Sequence, residues 1–166
     1  SGAAPLPAPV AQACVDRHGV LLRQGYGLTE TSPVTHANGR DREVRLESVG
    51  VALPNTEYRV VDLGTNEDAL TGELGEVWIR GPQVMKGYLN NPEATADMID
   101  PDGWLHTGDI GRADVDGYLY VVDRVKELIK YKGLQVAPAE LEGVLQSHPA
   151  VADVAVIPVP DVEAGE

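Results

Sequence analysis

Asp123-Arg-Val-Lys-Glu-Leu-Ile-Lys-Tyr-Lys-Gly-Leu-Gln-Val-Ala-Pro-Ala-Glu-Leu-Glu142 is the stretch on which the reading of this chain turns. It packs one Arg and three Lys into ten residues of a chain whose net charge is −13. Leu128 to Tyr131 and Leu134 to Val136 read as a two-strand hairpin turning through Lys132-Gly133. Pro138 then opens a helix, with Glu140 and Glu142 near its N-terminus, where the helix dipole favours acids. Leu141, Val144 and Leu145 fall on one face of that helix. Val151 to Ile157 is a near-continuous apolar run, the pattern of a strand buried on both faces. The order β-β-α-β marks the start of a small α/β domain over residues 123–166. Concentrated positive charge on an acidic background reads as a device for handling an anion, phosphate above all.

Upstream of that stretch the pattern changes. Short apolar runs recur at Val49 to Leu53, Tyr58 to Val61, Glu76 to Ile79, Trp104 to His106 and Tyr118 to Val122, separated by Gly, Asn, Asp and Pro. Such spacing predicts a small β-barrel-like subdomain over residues 48–122. One helix interrupts it. Asn91 supplies an N-cap, Pro92 the first helical position and Glu93 an acidic first turn for Ala94 to Ile99. Residues 1–47 are predicted to hold a helix over 7–18, with Pro7 or Pro9 early and Gly19 as its stop. A short buried strand Val20-Leu21-Leu22 follows, then a Gly-flanked loop. Residues 36–47 are charged and aperiodic and are expected to form an exposed connection. The fold class is α+β.

Composition narrows the function. With 43% hydrophobic residues the chain can bury a core, and its 166 residues suit one domain or parts of two. The negative charge argues against nucleic acid or an anionic membrane as the main partner. No run is long and apolar enough for an integral membrane segment. A lone Cys14, set in an apolar helical face, excludes an internal disulfide and fits a packed thiol in a reducing, cytoplasmic compartment. His18, His36, His106 and His148 lack metal-ligand spacing, so no zinc site is expected.

Two further constellations carry chemistry. Gln24-Gly25-Tyr26-Gly27-Leu28-Thr29-Glu30-Thr31 is a Gly-rich loop whose backbone can approach a ligand closely. Tyr26 offers a flat face to a base, Thr29 a hydroxyl to a phosphate oxygen, and Glu30 a hard oxygen to Mg²⁺. Trp104-Leu105-His106-Thr107-Gly108-Asp109 places a carboxylate beside a glycine, where both hydroxyls of a ribose can be accepted at once. Standing alone, each string reads more readily as an ordinary turn.

All three stretches resemble, in the same order, motifs of the adenylate-forming superfamily of acyl-CoA synthetases, luciferases and peptide-synthetase adenylation domains. They look most like the 4-coumarate–CoA ligase branch. Lys86-Gly-Tyr-Leu-Asn-Asn-Pro-Glu-Ala-Thr95 and His148-Pro-Ala-Val-Ala-Asp-Val-Ala-Val156 extend the likeness over essentially the whole chain. The resemblance implies an AMP-forming acid–thiol ligase that uses ATP, Mg²⁺, coenzyme A and a small carboxylic acid. By resemblance, Ala3, Gln24, Gly25, Tyr26, Thr29, Asp109 and Arg124 contact the nucleotide, and Asp109 takes the ribose diol. Glu30 holds Mg²⁺. Lys126 is the hinge. Lys130 and Gln135 approach the adenylate as catalytic residues, Lys132 and Gly133 face coenzyme A, and Gly25, Pro33 and Val34 border the acyl pocket.

The family's upstream phosphate loop and its late catalytic lysine lie outside this sequence, and neither end looks like a natural terminus. The chain is therefore expected to be a piece of a longer enzyme and inactive alone. Other readings are an amino-acid adenylation domain that loads a carrier protein, a luciferase-like oxygenase, or a non-catalytic nucleotide-binding or interaction module. The spelling Lys130-Tyr-Lys-Gly-Leu-Gln-Val-Ala-Pro138 favours the ligase.

Overall fold

The computed structural model describes residues 2, 6, 8–132 and 134–161. Helix α1 (Ala8–His18) ends where the Gly19 amide bonds back to the Val15 carbonyl at 2.9 Å. It turns Ala11, Cys14 and Val15 to one side, with Ala11 buried and Cys14 half-buried. Strands β1 (Gly25–Gly27), β2 (Val34–Ala37) and β3 (Val51–Ala52) form an antiparallel sheet in that order. A second antiparallel sheet follows, ordered β4 (Glu57–Val61), β5 (Gly75–Arg80), β6 (Leu105–Ala113) and β7 (Leu119–Arg124).

Helix α2 (Pro92–Met98) lies between β5 and β6 and begins as its sequence says. The Asn91 side chain accepts the Ala94 amide at 3.1 Å, and Pro92 takes the first turn. Beyond β7, the hairpin β8 (Ile129–Tyr131) and β9 (Leu134–Val136) pairs Ile129 with Val136 and Lys130 with Gln135, and helix α3 (Pro138–Gln146) follows.

The four-stranded sheet is covered on both faces because its strands alternate. Val77 and Ile79 on β5 and Leu119 on β7 are fully buried, and Tyr26, Leu28, Val49, Tyr58 and Val121 pack on them. On the opposite face Trp78 clusters with Val61 and Trp104 and stacks on His106 at 3.8 Å between ring centres. The Arg59 guanidinium lies 5.5 Å from the Trp78 ring centre, and that of Arg80 lies 4.4 Å from the Trp104 ring centre. His106 is thus a packing residue of this face.

The sheets do not close into a barrel. Closure would need a strand bonding back to β4, and among the described residues β4 pairs in the sheet only with β5. The two sheets instead meet at one seam. The Val49 amide donates to the Leu119 carbonyl at 3.0 Å, and the Leu119 amide donates to the Gly50 carbonyl at 2.9 Å. The Ser48 hydroxyl also donates to the Leu119 carbonyl, at 2.7 Å, and accepts the Gly50 amide. Gly50 sits at φ +95°, and a Cβ there would lie 2.0 Å from the Ala37 carbonyl carbon.

Three further expectations change. Val20 to Leu22 is not a strand, and Leu21 is 70% exposed. Gly25–Gly27 pairs with β2 in its place. The 36–47 connection is exposed only over residues 40–43 and 47, since His36 and Asn38 are buried. Val151 to Ile157 is irregular, with a bend at Ala152, and forms no strand among the described residues. The Val156 amide is met by the Glu142 carboxylate at 2.8 Å, and Ile157 is exposed. A strand exists by pairing with another, and among the described residues the sheet of β8 and β9 has no third strand.

Gly50→Ala should lower the unfolding free energy by about 3 kcal/mol or more, because strain and overlap with fixed backbone add. Gly72→Ala has a similar φ, +89°, but open space around it. It should cost only about 1 kcal/mol. Denaturant melts of the two variants measure the difference.

Candidate nucleotide site

A bulge in β6 builds the centre of the site. His106 pairs with Trp78 and Ile110 with Glu76, so the single residue Val77 on β5 faces Thr107, Gly108 and Asp109 on β6. Each residue of the bulge has its own task. The Thr107 hydroxyl donates to the Val77 carbonyl at 2.6 Å and accepts the Asp109 amide at 3.1 Å. Gly108 takes φ +71° and donates its amide to Glu76 Oε1 at 2.8 Å. The bend carries the Asp109 side chain to the Gly-rich loop.

There the Tyr26 hydroxyl donates to Asp109 Oδ2 at 2.6 Å. On the other side Arg124, the β7 partner of Asp109, brings Nε to 3.4 Å from Oδ1. The carboxylate is 11% exposed and the Arg124 side chain 70%, so the acid is fixed and the base reaches into solvent. Burial pushes the Asp109 carboxyl above the usual carboxylate range, and the Glu76 charge adds to the rise. The Tyr26 hydrogen bond and the Arg124 charge oppose it. Burial first, and then the Asp109 charge, hold Tyr26 firmly in its protonated, donating form. Each carboxylate oxygen keeps acceptor capacity, which suits the two hydroxyls of a vicinal diol.

Tyr26 is placed from behind. Its cross-strand partner His36 is fully buried, 6.0 Å away ring to ring, and meets Tyr58 edge-on at 4.8 Å. Burial holds the imidazole neutral, with its pKa pulled down to about 4. The loop then makes a one-turn helix at Thr29–Thr31, locked by the buried Thr31 hydroxyl, which accepts the Leu28 amide at 2.9 Å. Thr29 is exposed at its start and Glu30 is half-exposed. Glu30 Oε1 accepts the Tyr88 hydroxyl at 2.8 Å, which leaves Oε2 open among the described residues. Among the described residues no three His, Cys, Asp or Glu side chains gather around one point. The donor set suits Mg²⁺ nonetheless, since that ion commonly binds one or two carboxylates together with substrate phosphates and waters.

The structure therefore brings Tyr26, Asp109 and Arg124 into direct contact and sets Thr29 and Glu30 on the adjoining turn. Gln24 is buried, its amide donating to the Leu46 carbonyl. Gly25 pairs with Ala37, and Val34 with Gly27, along the same β1–β2 strip, with Pro33 and Val34 exposed. Lys126 lies exposed in the single turn Val125–Glu127 after β7. Lys130 and Lys132 are exposed on the hairpin, Lys132 with its ammonium 5.5 Å from the Tyr131 ring centre. Gln135 is the backbone partner of Lys130. Ala3 and Gly133 fall outside the described residues.

Sequence reasoning passed over four residues. Glu76 reads only as the first residue of an apolar run and Tyr88 as part of an unassigned string. His36 reads as a loop residue. Asp123 opens the basic stretch, yet it is buried and links β7 to α3, with Oδ1 accepting the Arg124 amide at 2.8 Å and Oδ2 the Ala139 amide at 3.1 Å.

Comparison with known proteins identifies the family. A sequence model of the family described as AMP-binding enzyme matches residues 1–89, and the chain belongs to that family. It is 54% identical to 4-coumarate–CoA ligase-like 6 of Oryza sativa subsp. japonica, across 99% of this chain and 28% of that protein. It is 47% identical to 4-coumarate–CoA ligase of Pinus taeda, across 100% of this chain and 32% of that protein. The chain thus spans less than a third of the length of these curated relatives. Its fold superimposes on ATP-bound MatB from Rhodopseudomonas palustris with a TM-score of 0.93 at 36% identity, covering 99% of this chain and 33% of that one.

Tyr26→Phe should raise the Asp109 pKa further, because it removes a hydrogen bond made to the charged form. It should also cost about 1.5–3 kcal/mol of stability, the usual worth of a bond to a charged group. Carboxyl carbon shifts followed through a pH titration, with a parallel denaturant melt, measure both.

Proposed function

We propose that this chain is the nucleotide-binding portion of an AMP-forming acyl- or aryl-CoA ligase. In this reading residues 1–47 and the 48–122 sheet region complete the large domain, and residues 123–166 open the mobile domain, in a cytoplasmic setting. The observation that carries it is the Tyr26–Asp109–Arg124 contact, which gathers the Gly-rich loop, the Thr-Gly-Asp bulge and the start of the basic stretch around one buried carboxylate.

In the proposed reaction a carboxylic acid attacks the α-phosphate of ATP, forming an acyl-adenylate and releasing pyrophosphate. The thiol of coenzyme A then attacks the acyl carbon and AMP leaves. Asp109 accepts the ribose hydroxyls, while Tyr26 holds the carboxylate and turns a ring face to the base. Arg124, Thr29, Gln24 and Ala3 complete the nucleotide contacts. Glu30 holds Mg²⁺, whose chemistry is to screen the phosphate charge. Gly25, Pro33 and Val34 border the acyl group; they are small or apolar and suit an aromatic or aliphatic acid. Lys130 and Gln135 reach the adenylate, and Lys132 with Gly133 meets coenzyme A, after rotation about Lys126. The exposure of Lys126 in a single turn between sheet and hairpin supports a hinge there.

The test is AMP release by the full-length protein, with a panel of carboxylic acids, in the presence and absence of coenzyme A. Release that requires both the acid and coenzyme A supports the ligase; release indifferent to coenzyme A removes the thioester step. In the same protein, Asp109→Ala should weaken AMP binding about tenfold or more by calorimetry, as expected for lost bonds to a charged acceptor. Lys126→Pro should fix φ at the proposed hinge. Pyrophosphate exchange should then survive better than coenzyme A consumption, and equal loss of both would place the hinge elsewhere.

A further inference from the structure

The string Lys86-Gly-Tyr-Leu-Asn-Asn-Pro-Glu-Ala-Thr95 has no part in the roles assigned above, yet its hydrogen bonds converge on one side chain. Thr95, in the first turn of α2, turns its hydroxyl back toward the preceding loop. It donates to the Asn91 carbonyl at 2.9 Å and accepts the Tyr88 amide at 2.9 Å. The Asn91 amide donates to the Tyr88 carbonyl at 3.2 Å, so the helix start grips the Tyr88 main chain at both ends. From this mount the Tyr88 hydroxyl reaches a loop far away in sequence and donates to Glu30 Oε1 at 2.8 Å. The Met85 amide, just before the string, donates to the Glu30 backbone carbonyl at 2.7 Å. One segment therefore fixes both the main chain and the carboxylate of Glu30.

We propose that Tyr88 is a positioning residue for the cation that accompanies the nucleotide phosphates. It occupies one oxygen of Glu30, holds the side chain in one rotamer and leaves Oε2 for the ion. A glutamate that is free to rotate must be ordered when the ion arrives, whereas one already ordered is not. The Asn91 cap, the Pro92 start and the Thr95 hydroxyl are, on this view, the foundation of that single contact. Tyr88 is 36% exposed, so water competes for the bond and the effect is moderate. The inference rests on the proposed role of Glu30, and its test separates the two.

Calorimetry of ATP binding to the full-length protein, with Mg²⁺ and with a chelator, gives the factor by which Mg²⁺ tightens ATP. Tyr88→Phe keeps the ring and removes only the hydroxyl. It should reduce that factor by about 3–10-fold, the scale of one partly exposed hydrogen bond, and leave the Mg²⁺-free affinity unchanged. Thr95→Val should move the factor in the same direction. Glu30→Gln should reduce it at least as far and make Tyr88→Phe silent in the double variant. If Glu30→Gln lowers the factor and Tyr88→Phe does not, the Tyr88 inference fails and the Glu30 reading stands. If Glu30→Gln leaves the factor intact, both fail. Equal loss of Mg²⁺-dependent and Mg²⁺-free affinity in Tyr88→Phe would make the tyrosine merely structural and overturn the inference.

Discussion

The backbone bonds between Leu119 and Val49–Gly50 hold the two sheets at a fixed offset, and the site exists because of that offset. Tyr26 stands on the first sheet and Asp109 on the second, yet their oxygens meet at 2.6 Å. A hydrogen bond that short tolerates little relative motion of its supports. Ser48 makes the seam rigid by serving both sides with one hydroxyl, and the Asn38 amide holds the Ser48 carbonyl at 2.7 Å. Arg45 adds a brace, pairing with Asp114 and Asp116 in the β6–β7 turn with its guanidinium 4.1 Å from the Tyr118 ring centre. The core residues Val77, Ile79 and Leu119 lie beneath this junction, so hydrophobic packing and the polar seam fix the same geometry.

Within that frame the β6 bulge resolves a conflict. A regular strand alternates its side chains and satisfies its backbone, but it cannot redirect an acid toward a neighbouring sheet. Three residues opposite one free the strand to bend, and the groups left without ladder partners are met by Thr107 and Glu76. The same Glu76 raises the Asp109 pKa, so the acid is shaped by its neighbour as well as by its burial. Arg124, directly across the ladder, offsets part of that cost from the solvent side.

What the sequence disclosed was what is local. Asn91 and Pro92 announce a helix because capping is completed within one turn, and the β8–β9 hairpin is legible from its turn and flanking strands. The strands of the second sheet were visible as apolar runs for the same reason. That the sheet stays open instead of closing into a barrel was not, since pairing of distant edges leaves no mark in any one segment. His36 sits in a polar stretch and reads as exposed; only its register opposite Tyr26 and the arrival of Tyr58 bury it. Val151 to Ile157 shows the reverse error, an apolar pattern without a neighbour to pair with. At the site, Tyr26, Asp109 and Arg124 were each legible as members of motifs. Tyr88 and Glu76 were not, because their roles consist of contacts with residues far along the chain.

Asp123 gives the junction between sheet and hairpin a mechanical character. Its carboxylate belongs to β7 and grips the Ala139 amide in the first turn of α3, while Lys126 lies on the covalent path between the two. Any swing of α3 away from β7 must first release that amide. A hydrogen bond to a charged group is worth about 1.5–3 kcal/mol, a bias of roughly ten- to a hundredfold toward the latched state. The Asp123 carboxylate is thus a catch between strand and helix, a contact that must open before the two can part.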